Sequence, residues 1–377
     1  MWVLKVLHLY KTYFPDSIGG VEQVINQIAR STSPLGVSTQ VLSLSNDVSE
    51  EIVRVDGHDV IRCKIDFEIA STPFSWSAIA KFKHLAESVD IIHYHYPYPY
   101  ADLLHFLAGI HKPSLVTYHS DIIKQKQLLR LYRPLKRRFL AGMDKIVATS
   151  PNYLKSSPVL AGYADKTVVI PIGLDRNTYA ASSPERLDYW REQFGERFFL
   201  FVGVIRYYKG LHILIDAVQG QPYPVVIVGA GPVERELKHR VNEMGLTNVH
   251  FLGLLPEEDK VALLELTYAV VFPSHLRSEA FGVSLLEGAM FGKPLISSEI
   301  GTGTTFINVD HVTGVVVEPG DAISLRHAMN YLWNNQQLAE QMGKRAEARY
   351  WKLFTAKKMA ESYFELYKEL KDGFNSN

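Results

Sequence analysis

The run Val225-Val-Ile-Val228-Gly229-Ala-Gly231-Pro232 decides the fold class. Four β-branched residues in succession read as a strand buried on both faces, which is the pattern of a parallel sheet. A glycine turn follows, then an amphipathic stretch over 232–244. Together they make one strand–turn–helix unit. Working outward, the unit recurs. Strands are expected at 198–203, 248–252, 268–272, 294–297 and 314–317 on this side. On the N-terminal side they are expected at 3–9, 38–44, 60–64, 90–95, 114–118, 145–148 and 167–170. Helical stretches such as 20–33, 76–88, 209–218 and 282–291 lie between them. Repeats of this kind predict an α/β protein with doubly wound parallel sheets. The pattern starts afresh near residue 198, so two Rossmann-like domains are expected, with a cleft between them as the place for a substrate. The polar stretch 175–197 reads as their connection, and 335–371 as a charged helical tail.

Composition narrows the function classes. The 377 residues carry 40 Lys+Arg and 40 Asp+Glu, a formal net charge of zero. That excludes nucleic-acid binding by bulk charge. A 47% hydrophobic content excludes a disordered chain. The length suits two domains of roughly 150–200 residues each. The single cysteine, Cys63, excludes an internal disulfide. No apolar run approaches the roughly 20 residues of a membrane span. The start, Met1-Trp-Val-Leu-Lys-Val-Leu-His-Leu9, reads as a strand and not as a signal peptide. A cytoplasmic protein is expected.

Several segments carry chemistry. In Ser278-Glu279-Ala-Phe281-Gly282-Val-Ser-Leu-Leu-Glu287, two glutamates sit eight apart around a turn that opens a helix. Gly282 allows close backbone approach, and a helix N-terminus offers N–H groups to an anion. Carboxylates placed so can hold the hydroxyls of a sugar or a ribose. A helix-start charge and a loop glutamate would account for the pair equally well. In Phe201-Val-Gly203-Val-Ile-Arg206-Tyr-Tyr-Lys209-Gly210, Arg and Lys three apart after a strand suit a diphosphate clamp. Two solvated basic residues are the alternative. Gly19-Gly20, after the first strand, suits phosphate or sugar in the same way, or an ordinary helix start. His119 ends a strand on the usual ligand edge. His93 and His95 have the spacing of a metal pair, but no third ligand stands near them in sequence, so no metal site is expected.

Together these segments resemble the GT-B nucleotide-sugar glycosyltransferases of family 4, the retaining group. The likeness rests on the Gly-Gly loop, Arg206/Lys209, Val-Gly-x-Gly-Pro at 228–232, Pro273-Ser274 and the Glu-x7-Glu motif. It implies an acceptor-binding domain over 1–180, a donor-binding domain over 181–354, and a helix of about 355–377 packing back on the first. It implies that Gly19 and Gly20 contact donor phosphates or sugar, and that Arg206 and Lys209 neutralise the diphosphate. Glu279 would bind donor-sugar hydroxyls, with Phe281, Gly282 and Val283 close by. Glu287 would grip the ribose, Leu254 would meet the base, and His119 would lie near the sugar's primary hydroxyl. His119, Glu279, Arg206 and Lys209 are thus the catalytic candidates.

Two departures stand out. The segment Ile300-Gly301-Thr-Gly303-Thr-Thr-Phe306 lacks the glutamate common in the family, and Gly288 replaces the usual Ala after the second motif glutamate. No Asp-x-Asp triplet occurs, so no metal cofactor is expected. Residues 124–138 hold seven basic side chains and no acid, with Leu128, Leu131, Tyr132, Leu135 and Phe139 at helical spacing. Pro134 is expected to kink or split this helix. Either it packs on its own domain or it lies on an anionic membrane surface. Tyr94, Tyr96, Tyr98 and Tyr100 either stack on acceptor sugars or pack a loop. The resemblance is strongest to bacterial mannosyl- and rhamnosyltransferases of polysaccharide assembly. It implies GDP-mannose as donor and an undecaprenyl-diphosphate-linked O-antigen saccharide as acceptor, at the inner face of the cytoplasmic membrane. A UDP-glucose, UDP-galactose or UDP-GlcNAc transferase, a GT-B epimerase and a non-catalytic nucleotide-sugar-binding subunit are the competing readings.

Overall fold

The computed structural model describes residues 3–122 and 126–375. One unit runs to Gly173 and resumes at Ala356; the other spans Leu174–Thr355.

The first unit contains β1 (Leu4–Leu9), β2 (Val37–Ser45), β3 (Ile52–Val55), β4 (His58–Lys64), β5 (Phe67–Ile69), β6 (Thr72–Phe74), β7 (Ile91–Tyr96), β8 (Ser114–Tyr118), β9 (Lys145–Ala148) and β10 (Thr167–Val169). Its sheet has the order β10-β9-β8-β7-β1-β2-β4-β3. All pairs are parallel except β3 with β4. The central strands are apolar runs buried on both faces, as the sequence predicts. β3 and the separate β5–β6 hairpin escape that reading, because almost none of their residues is buried. Around the sheet lie α1 (Gly20–Thr32), α2 (Trp76–Ser88), α3 (Pro99–Leu107), α4 (Lys126–Gly142) and α5 (Pro151–Ser156). Pro134 does not split α4, which continues through it.

The second unit has β11 (Phe199–Val202), β12 (Val225–Val228), β13 (Val249–Gly253), β14 (Ala269–Phe272), β15 (Leu295–Ser298) and β16 (Gly314–Val317). Their order, β13-β12-β11-β14-β15-β16, is the Rossmann order, and every pair is parallel. Its helices are α6 (Pro184–Phe194), α7 (Leu211–Ala217), α8 (Glu234–Glu243), α9 (Glu257–Leu266), α10 (Val283–Met290), α11 (Thr304–Ile307), α12 (Ala322–Asn334) and α13 (Gln336–Leu353). The stretch 175–197 is therefore not a bare connection. Ser183 caps α6, whose Trp190 Nε1 donates to Asp259 Oδ1 on α9 at 3.0 Å, while Arg186 pairs with Glu258 and Asp259 at 2.8 and 2.7 Å. Polar contacts and a short aromatic cluster, Trp190 on Phe194 and Phe194 on Phe198, hold this helix instead of a long apolar stripe, which is why its sequence looks like a linker.

The last helix, α14 (Ala356–Asn375), belongs to the first unit. Met359, Ala360, Tyr363, Leu366, Tyr367 and Leu370 form its buried face at spacings of three and four. Strand order reverses between β1 and β7 in one unit and between β11 and β14 in the other. Ligands of open α/β sheets sit outside the carboxyl ends of strands at such points. Gly19 and Gly20 follow β1, and Arg206, Lys209 and Glu279 follow β11 and β14, whereas His119 follows β8 and Leu254 follows β13.

Candidate active site

In the second unit, the loops after β11 and β14 meet. Gly210 has φ +73°, and a Cβ there would stand 2.0 Å from the Pro273 carbonyl oxygen. Only glycine permits both the conformation and the approach. A short 3-10 turn, Tyr207–Lys209, precedes it in place of the expected helix start. This crossing brings the Lys209 ammonium onto Glu279 Oε2, which also accepts from Ser274 Oγ at 3.4 Å. Lys209 and Glu279 are both nearly buried. Both bonds go to Oε2; Oε1 has no protein partner among the described residues. Arg206 begins the same turn and is exposed.

Glu287 is built alike. It lies buried on α10, where Oε1 accepts from Lys260 Nζ at 3.0 Å and from Tyr179 OH at 2.9 Å. Its Oε2 has no protein partner among the described residues. Burial disfavours charge on Lys260, but the Glu287 and Glu257 carboxylates outweigh it and hold the ammonium above its ordinary pKa. Burial and the Glu287 charge push the Tyr179 phenol far up, so it stays a donor. Each motif carboxylate thus has one oxygen fixed by a cation and one free to accept two hydroxyls. Sequence spacing gave no sign of Lys260 or Tyr179, which are distant in the chain and meet Glu287 only through packing.

Gly282 caps α10 at φ +96°, with a Cβ position 3.3 Å from Phe272. Val283 starts the helix, and Phe281 is buried against Phe354. Gly303, in the loop that lacks the family glutamate, sits against Phe281, and its N–H donates to the Ala280 carbonyl at 2.9 Å. Gly288 is a packing requirement: a Cβ would lie 2.7 Å from Val270 Cγ2 and 3.0 Å from Leu295 Cδ2. Likewise Gly229 and Gly231 let the turn after β12 cross the backbone of Gly203 and Ile205. Leu254, just past β13, is 81% exposed.

The remaining candidates lie in the first unit. Gly19 caps α1 and Gly20 starts it. The space at the Gly20 Cβ position is open, whereas Gly19 faces the Glu22 carboxylate at 2.4 Å from that position. Glu22 Oε1 accepts from Thr12 at 2.8 Å and from Ser17 at 3.0 Å, so a carboxylate already tethers this turn. His119 follows β8, and its Nε2 lies 3.0 Å from His95 Nδ1. His8 supplies the third imidazole that the sequence did not place beside His93 and His95; one nitrogen of each lies within 4.8 Å of the others. Both nitrogens of His93 and of His95 are already hydrogen-bonded, so an ion would have to break those bonds. The tyrosines of 94–100 are all buried. Tyr94 packs on Phe82 and Phe139, Tyr96 stacks on Tyr118, and Tyr98 and Tyr100 donate to the Pro73 and Ser75 carbonyls. They pack the unit and offer no face to a sugar.

Two Rossmann-like units carry paired carboxylates and cations at a switch point, and comparison with known proteins supplies the class. Residues 188–349 match the model of the glycosyl transferases group 1, and residues 18–178 that of glycosyltransferase family 4. The chain is 58% identical over 353 residues to the D-rhamnosyltransferase WbpZ of Pseudomonas aeruginosa, covering 94% of this chain and 93% of that one. It is 52% identical over 367 residues to the O-antigen chain mannosyltransferase C of Escherichia coli, covering 97% and 99%. Anabaena HepE, solved with UDP and glucose, shares the fold at TM-score 0.78 and 22% identity over 97% of this chain and 100% of that one. The chain belongs to the family 4/group 1 glycosyltransferases.

Proposed function

We propose that the chain is a retaining mannosyltransferase that moves α-mannose from GDP-mannose onto an undecaprenyl-diphosphate-linked saccharide in O-antigen assembly. The observation that carries the reading is the Lys209–Glu279 pair with its free Oε1. Glu279 holds donor-sugar hydroxyls while Lys209, with Arg206, faces the diphosphate. Breaking the anomeric carbon–oxygen bond sends its electron pair to the diphosphate oxygen. Fixed cations there stabilise the developing charge. The acceptor hydroxyl oxygen bonds the anomeric carbon on the same face, and its proton passes to a leaving-phosphate oxygen. Glu287 holds the ribose through Oε2, and Gly19, Gly20, Leu254, Phe281, Gly282 and Val283 line the donor. None of these steps calls for a metal.

The mannosyltransferase relative supports mannose; the rhamnosyltransferase relative supports a second reading, a 6-deoxy donor of the same series. Work at a membrane surface is supported by α4. Leu131 is 80% exposed, and Leu128 is also exposed. With Ile69, Thr72, Phe74 and Leu135 they line a groove of about 280 Å³. Arg130, Arg133, Arg137 and Arg138 are exposed beside it, whereas Lys136, Phe139 and Leu140 turn into the core. Lys124 lies outside the described residues. No described helix is long and apolar enough to cross a membrane.

One assay tests both parts. Nucleoside-diphosphate release is scored with GDP-mannose, GDP-D-rhamnose and UDP-sugars, in chelator, with lipid-linked acceptor in anionic vesicles. GDP release from GDP-mannose alone is expected, and Leu131→Ser should slow it on vesicles but not on a water-soluble acceptor. Turnover of a UDP-sugar instead overturns the donor, and an unchanged Leu131→Ser variant overturns the membrane contact.

A further inference from the structure

Four buried imidazoles lie side by side near the carboxyl ends of β1, β7 and β8. Ring centroids are 4.6 Å apart for His8–His93, 4.3 Å for His93–His95 and 5.3 Å for His95–His119. Three of them form a hydrogen-bonded chain. His8 Nδ1 lies 2.9 Å from His95 Nε2, and His95 Nδ1 lies 3.0 Å from His119 Nε2. His93 stacks against the chain and bonds elsewhere, to Thr117 Oγ1 and Tyr367 OH, both at 2.7 Å.

A neutral imidazole has one N–H and one bare nitrogen, and each nitrogen–nitrogen hydrogen bond needs one of each. The chain therefore has a direction, and setting one tautomer sets all three. In one direction the protons point toward His119, so that His119 Nε2 accepts and its proton sits on Nδ1. In the other, His119 donates from Nε2 and every proton points toward His8. The far end decides between them. His8 Nε2 is buried and has no hydrogen-bond partner. The second direction would leave an N–H there without an acceptor; the first leaves only a bare lone pair. Orphaned buried N–H groups are the rarer of the two. His119 Nδ1 is the other end of the chain, and no protein group among those described bonds to it.

We propose that His8 and His95 are positioning residues that hold His119 as the Nδ1–H tautomer. The open nitrogen of His119 then donates a hydrogen bond to a ligand oxygen, such as a sugar hydroxyl, and does not serve as a proton-abstracting base. This rests on the reading of His119 as a donor-sugar contact.

The test is a long-range proton–nitrogen correlation spectrum of the full chain labelled with 15N-histidine, together with steady-state kinetics. Wild type should show His119 protonated on Nδ1 and bare on Nε2. His95→Phe keeps a stacked ring but removes the donor. It should give an averaged tautomer signal for His119 and lower kcat on the order of ten- to a hundredfold, the range for partners that orient a functional histidine. The donor KM should move little. His95→Gln, whose amide can donate to Nε2, should restore the Nδ1–H signature and part of kcat. His8→Phe frees the far end and should show a weaker version of the His95→Phe effect. A wild-type His119 protonated on Nε2 overturns the proposal without any variant. So does an unchanged tautomer in His95→Phe, or one tightly bound zinc per chain, which would consume the same nitrogens. Wild-type kcat in His119→Ala would instead remove His119 from the sugar and leave the tautomer result standing.

Discussion

At the switch point of the second unit, Lys209 pairs with Glu279 and Lys260 pairs with Glu287. At that of the first unit, His8, His93, His95 and His119 sit together uncharged. Burial, with the neighbouring imidazoles adding to it, lowers the pKa of His93 and His95 well below the ordinary value; burial with the His58 imidazole takes His8 to about 3, and burial alone takes His119 to about 3. A carboxylate can be kept nearly buried when one oxygen is neutralised and the other remains free for a ligand. An imidazole can be buried outright, because it can shed its charge. One switch point is thus built from ion pairs, the other from neutral rings.

The comparison breaks most visibly at Lys209. Lys209→Ala removes a cation and leaves Glu279 unpaired, so kcat should fall about 10²–10³-fold, as when one transition-state donor is lost. Stopped or continuous assays of nucleoside-diphosphate release measure it; a loss under fivefold would mean that charge in this unit serves packing alone.

Acid should strike the first unit. The folded pKa values of these histidines lie below 6.5, so the unfolded chain binds more protons between about 6.5 and 3, and stability falls as pH falls. His8 and His119, taken to about 3, should each contribute roughly 2 kcal/mol of loss by pH 5, and His93 and His95 act in the same direction. Melting scans from pH 7.5 to 5 should show a steep drop, shallower in His8→Phe. A flat profile would mean that the row is not neutral.

Smaller effects separate the two carboxylates. Glu287→Gln should raise the donor KM about 10–100-fold with little change in kcat, matching the roughly 1.5–3 kcal/mol of a charged hydrogen bond. Tyr179→Phe removes a single neutral donor worth about 1 kcal/mol and should raise KM by about fivefold. Equal effects on kcat would place Glu287 at the reacting bond.

Most of the fold was legible because buried parallel strands are continuous apolar runs, as in Val225–Val228. What was missed is what lacks such runs: β3, with alternating exposure at a sheet edge, the exposed β5–β6 hairpin, and α6, held by Arg186 and Trp190 through polar contacts. Arg206, Lys209 and Glu279 stood out because they follow strands closely, and Glu287 because it lies eight residues after Glu279. Lys260 and Tyr179 did not, since their contacts with Glu287 arise only when separate elements pack. His8 was invisible as a neighbour of His93 for the same reason: the β1–β7 register sets them side by side, and no local spacing encodes it.

The phenols that bond His93 and Thr117 come from Tyr367 and Tyr363 on α14. The ribosome therefore makes every strand of both sheets before it makes these two side chains. The second unit, continuous in sequence, can finish folding while the first still waits for its final helix. A chain cut short before residue 356 would keep its whole second unit and lack the hydroxyls over the histidine row.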